Sequence, residues 1–143
     1  MMPNKIPQLN KCGYLPKGIH KATIQQIKER FGKSSERRKE LFGNFLAVVE
    51  LVKKIRKTVV HFFLDGSFVT AKEHPGDIDC IIIIKNNFDI EAKEAIQLHN
   101  ATELFNCHIL FAEQDDKRLK KEYIDFFSYD INEIPKGLLE VAL

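Results

Sequence analysis

At the entrance to the apolar run Cys80-Ile81-Ile82-Ile83-Ile84 stand two carboxylates one residue apart, Asp77 and Asp79. Side chains of a strand alternate faces, so Asp-x-Asp at the head of a strand sets both carboxylates on one side, where they repel unless a cation lies between them. Hard oxygen ligands at this spacing suit Mg²⁺, or Mn²⁺ in its place. Such an ion takes one or two protein carboxylates together with the oxygens of substrate phosphates. Upstream, Gly66-Ser67 closes a second apolar run, Val59 to Leu64. Gly permits backbone N–H groups to converge on an anion and Ser adds a hydroxyl donor, which is the complementary half of a phosphate and metal site. Lys72, in the connecting segment, has the reach to touch a phosphate, although a solvated lysine accounts for it as well. Asp65 belongs to the turn tripeptide Asp-Gly-Ser and reads as a turn former.

For these groups to meet, the chain must supply a strand, a tight turn and a second strand, held by a packed scaffold. Residues 1–20, rich in Pro and Gly, read as an extended N-terminal arm. Thr23 followed by Gln26 fits a capping box for a short helix with Ile24, Ile27 and Phe31 on one side, which Gly32 can end. Ser34 or Ser35 caps a longer helix to about Lys57, whose Leu41, Phe42, Phe45, Val48, Val49, Val52 and Ile55 follow helical spacing. After the two central strands, Asp89 is a candidate N-cap, and a helix to about Leu104 turns Ile90, Ala95 and Leu98 inward, with Ala92 nearby. Cys107 to Ala112 reads as a third strand, Arg118 to Phe127 as a helix, and 137–143 as a terminal strand. This order predicts the α+β class, with a mixed β-sheet and helices packed mainly on one face.

Gly66-Ser67, nine residues, then Asp77-Ile78-Asp79 leading into the isoleucine run resembles the signature of the DNA polymerase beta-like nucleotidyltransferase superfamily. The resemblance implies a nucleotidyltransferase-like sheet in which Gly66 and Ser67 hold a nucleoside triphosphate while Asp77 and Asp79 bind divalent metal. The wider chain, with Leu15-Pro16-Lys17-Gly18-Ile19-His20, Asp65-Gly66-Ser67-Phe68-Val69-Thr70-Ala71-Lys72 and Pro135-Lys136-Gly137, is similar to a family of small uncharacterised bacterial nucleotidyltransferase-like proteins. Likeness to the small nucleotidyltransferases of toxin–antitoxin and defence systems implies that a nucleoside monophosphate passes from an NTP to a hydroxyl, with a partner protein such as a toxin as acceptor. Active members carry a third carboxylate on a later strand. Here that strand begins Asn106-Cys107-His108, so His108 or Asn106 stands in its place. His108 is then a general base, a nitrogen ligand favouring a softer metal than Mg²⁺, or a hydrogen-bonded structural residue. Glu103 and Glu113 are the other carboxylates of the region. Two expectations stand side by side. One is an enzyme with Asp77, Asp79 and His108 as its catalytic set; the other is a catalytically degenerate module that binds a partner protein.

A chain of 143 residues makes a single domain, residues 1–143, large enough for a core of ordinary size. The formal net charge of +2 argues against nucleic acid as the partner. The clusters Arg37-Arg38-Lys39, Lys53-Lys54 with Arg56-Lys57, and Lys117-Arg118 with Lys120-Lys121 read as solvated helix faces. No stretch has the length of apolar sequence that a membrane span needs, and Cys12, Cys80 and Cys107 are scattered as in the reduced thiols of a cytoplasmic protein.

Overall fold

Helix capping sets the first boundaries. The computed structural model describes residues 5–86 and 93–143. In it, the Thr23 hydroxyl accepts from the Gln26 N–H while the Gln26 side chain accepts from the Thr23 N–H, the predicted capping box at the start of α1 (Ile24–Phe31). The Ser35 hydroxyl accepts from the Arg38 N–H and starts α2 (Glu36–Lys54), which ends about a turn before the expected Lys57 because Ile55 caps it. The apolar stripe of α2 is buried as its spacing requires, from Leu41 through Val52, with Ile55 just beyond it. The remaining elements in chain order are β2 (Val59–Asp65), a 3₁₀ turn (Ser67–Val69), β3 (Ile78–Ile84), α3 (Lys93–Phe105), β4 (Cys107–Glu113), α4 (Lys117–Phe127) and β5 (Leu138–Ala142). The expected Asp89 cap and the inward placement of Ile90 and Ala92 lie outside the described residues; Ala95 and Leu98 are buried.

One strand escapes the sequence reading. The tail of the presumed arm, Ile19–Thr23, forms β1, which pairs in parallel with β5 from Ile19 opposite Leu138 to Thr23 opposite Ala142. Its Ile19 and Lys21 are exposed and only Ala22 is buried, so it has neither the apolar run nor the alternation that marks a strand; pairing with a distant segment makes it one. The five-stranded sheet has the order β1-β5-β2-β3-β4, parallel at β1/β5 and β3/β4 and antiparallel at β5/β2 and β2/β3. It is a mixed sheet of the α+β class.

β3 lies inside the sheet between β2 and β4 and is apolar on both sides, so its alternating residues feed two cores. Ile78, Cys80, Ile82 and Ile84 join Phe62 and Leu64 of β2 and the inward residues of α1, α2 and α3. Ile81 and Ile83 join Phe63, Ala112 and Leu138 beneath Leu119, Tyr123, Ile124 and Phe127 of α4. Helices therefore cover mainly one face, and α4 covers part of the other. Among the described residues no helix is long and apolar enough to cross a membrane.

Candidate functional site

β2, β3 and β4 bring three polar side chains abreast. Antiparallel register sets Asp65 opposite Asp79, and parallel register sets Asp79 opposite His108. Because Phe63, Ile81 and Ile83 belong to the α4-side core, the alternation along each strand puts Asp65, Asp79 and His108 on that same face. Asp79 Oδ1 lies 3.4 Å from His108 Nδ1, with the carboxylate side chain 17% and the imidazole 51% exposed. His108, and not Asn106, therefore occupies the position beside the aspartate. Asn106 sits at the turn before β4 with φ of 51°, and its carbonyl accepts the Ile78 N–H at 3.0 Å. Asp77 is exposed just ahead of β3, close enough for its charge to be felt at Asp79. Glu113 pairs with Ile84 at the far end of β4, away from the aspartates.

Gly66 is indispensable to this packing. Its φ of 85° with ψ of −168° is a backbone state kept for glycine, and a Cβ there would overlap the Asp79 carboxylate. The Gly-Ser turn and the second aspartate are thus in van der Waals contact. Ser67 opens the 3₁₀ turn, and its carbonyl accepts from the Thr70 N–H at 3.2 Å and the Thr70 hydroxyl at 2.7 Å. Lys72 is exposed on the connection to β3, its N–H donating to the Thr70 hydroxyl at 3.1 Å.

The start of α2 holds that connection in place. Arg38 is 3% exposed and donates to the carbonyls of Phe31, Phe68, Thr70 and Lys72, with its guanidinium beside the rings of Phe31 and Phe68. Arg37 donates to the carbonyls of Pro75 and Gly76. The reading of Arg37-Arg38-Lys39 as a solvated face is therefore corrected at Arg38. Its spacing to Leu41, Phe42 and Phe45 is that of the buried stripe, a signal that its charge concealed.

Two further residues belong to the site. Asp65 is not a turn residue: β2 extends through it, it is 0% exposed, and neither carboxylate oxygen has a hydrogen-bond partner. Burial pushes its carboxyl up to about 7 and the Asp79 charge adds to the rise, while the Lys136 charge and the neighbouring Gly66 N–H offset part of it. Burial and the Asp77 charge raise Asp79 as well, and His108 and Lys136 oppose that rise. Lys136 stands half-buried just before β5, which pairs with β2 at Leu64 and Leu139, so it lies beyond the Gly66 end of β2. The Pro135-Lys136-Gly137 sequence was the available signal. Its Gly137 N–H donates to the Leu15 carbonyl at 2.9 Å, and a Cβ on Gly137 would overlap the Pro16 carbonyl, so this segment and Leu15-Pro16-Lys17-Gly18 dock together. His20 donates its Nε2–H to the Pro16 carbonyl at 2.7 Å and so ties β1 to the segment before it.

Cys80 and Cys107 are buried on the opposite face. Burial pushes the Cys107 thiol up to about 12 and Cys80 upward too, which keeps both unreactive. Among the described residues no three His, Cys, Asp or Glu side chains already form a metal cage. The donors at Asp77 and Asp79 are hard oxygens, and their mutual repulsion is the electrostatic deficit that a divalent cation relieves, so the residues fit Mg²⁺ or Mn²⁺ completed by phosphate oxygens and water.

No curated protein and no solved structure matches the chain. A family model matches residues 7–142, and the chain belongs to that family, the family of unknown function DUF6932.

Proposed function

We propose that the protein is a minimal nucleotidyltransferase that moves a nucleoside monophosphate from an NTP to a hydroxyl, in the manner of the polymerase beta-like superfamily. The observation that carries the reading is the contact between the Gly66 turn and the Asp79 carboxylate, which joins an anion-receptive backbone to the aspartate pair. Gly66 and Ser67 receive the triphosphate, with Lys136 on one side and Lys72 reaching from solvent on the other. Asp77 and Asp79 hold Mg²⁺ or Mn²⁺, which when bound supplies charge neutralisation to the phosphates. The acceptor oxygen attacks the α-phosphorus and forms a new P–O bond. The bond from the α-phosphorus to the bridging oxygen breaks, and pyrophosphate leaves with that electron pair. The acceptor proton passes to His108, whose imidazole Asp79 orients. We place the protein in the cytoplasm, with a partner protein carrying the hydroxyl.

Calorimetric titration with nonhydrolysable analogues of ATP, GTP, CTP and UTP, each with Mg²⁺ or Mn²⁺, tests the reading against an Asp77→Ala control. Metal-dependent binding that disappears in the variant supports it. Silence with every nucleotide and both metals overturns it.

A second reading, a partner-binding module that has lost catalysis, is favoured by the imidazole opposite Asp79, where active members of the superfamily that the chain resembles carry a carboxylate. Under it, cellular function survives the double change Asp77→Ala, Asp79→Ala; loss of function in that variant excludes it.

A further inference from the structure

We propose that Asp65 supplies a third carboxylate to the cation site, from β2 in place of the later strand, so that a divalent ion sits between Asp65 and Asp79. This rests on the reading of Asp77 and Asp79 as a divalent-cation pair. Asp65 is fully buried with both oxygens unpartnered. Ionised, it has the Lys136 charge and the Gly66 N–H nearby but no hydrogen bond to either oxygen, and that help falls short of the cost of its burial. A buried polar group left so costs roughly 1–3 kcal/mol and calls for a missing ligand or water. Its setting selects a cation. Directly opposed residues on one face of an antiparallel pair are near neighbours, and like charges there repel. Asp65 nonetheless faces Asp79, which already bears the charge of Asp77. A Cβ on Gly66, the residue after Asp65, would overlap the Asp79 carboxylate, so that carboxylate lies against the backbone that adjoins Asp65. An acid–acid approach at the end of a strand, next to an anion-receptive turn, is relieved by a metal ion that accepts oxygens from both. With the third carboxylate on β2, β4 is free to present an imidazole, and His108 no longer marks a broken site.

The experiment titrates the protein with Mn²⁺ alone, by calorimetry and by the rise in melting temperature, in the wild type and in Asp65→Asn, Asp77→Asn and Asp79→Asn. The expected result is at least a tenfold weaker Mn²⁺ affinity in Asp65→Asn, with most of the metal-induced rise in melting temperature gone. Asp65→Asn that binds Mn²⁺ as tightly as the wild type, while Asp79→Asn does not, overturns this inference and leaves the Asp77/Asp79 reading standing. A wild type that gives no Mn²⁺ response overturns both. Should Asp65→Asn fail to fold, Asp65→Ser makes the same comparison with a smaller polar side chain.

Discussion

The two faces of the sheet are written on the same strands in alternate residues, yet they obey different rules. On the α1–α3 side, Phe62, Leu64, Ile78, Cys80 and Ile82 meet Leu41, Phe45 and Val49 in a core that leaves no polar side chain of those strands inside. On the α4 side the apolar patch is smaller, and beyond it the row Asp65, Asp79 and His108 crosses the sheet. His61 and Glu140 lie there too, 2.6 Å apart. One face is apolar along both strands; the other adds to its apolar patch carboxylates whose charge His108 and Lys136 offset only in part. A strand buried on both sides can serve both purposes because its period of two separates them.

Substitutions on the two faces should separate stability from binding. Phe45→Ala, which empties a fully buried site between Phe42 and Phe62, is expected to lower stability by roughly 3–5 kcal/mol. Urea unfolding measures that loss, and nucleotide binding by the remaining folded protein stays unchanged. Asp65→Asn on the other face acts in the opposite sense in chelator-treated protein. The folded carboxyl, pushed up to about 7, holds its proton when the unfolded one has lost it, so wild-type stability falls as pH rises from the unfolded value near 3.8 through about 7 and is level above. The variant should remove that fall and be more stable at pH 8 by up to roughly 4 kcal/mol, with little difference at pH 4. Unfolding curves at the two pH values check it. A pH-independent difference would break the contrast between the faces.

Gly66→Ala sits where they meet. The backbone state alone costs about 1–3 kcal/mol, and the displaced Asp79 should remove metal-dependent nucleotide binding altogether. Calorimetry on the folded variant reads both. The smallest effects compare two lysines: Lys136→Ala should weaken analogue binding roughly tenfold, and Lys72→Ala less than about threefold, because only Lys136 is half-buried beside the aspartates.

Local signals in the sequence were legible where local forces decide the outcome. The capping box at Thr23 and Gln26, the stripe of α2 and the apolar run of β3 all stand where their spacing puts them, and so does the α+β arrangement. What the spacing did not reveal was created by distant pairing. β1 is a strand only because β5 lies beside it. Asp65 looks like a turn residue until the antiparallel partner extends the strand through it, and Arg38 looks solvated until four carbonyls from other segments close around it. Lys136 comes near the aspartates through the insertion of β5 beside β2, a fact of topology that no short window contains.

That insertion has a consequence for synthesis. β5 follows the other four described strands in the chain, yet it lies between β1 and β2. On the ribosome, β2, β3, β4 and their helices can assemble as the chain emerges, whereas β1 waits with its hydrogen-bonding edge unmatched until residues up to Ala142 are free. Lys136 arrives at the aspartates in the same late step. A nascent chain is thus kept from acquiring this charge arrangement until β5 has emerged, and ribosome-stalled chains ending before β5 should leave the β1 segment open to protease.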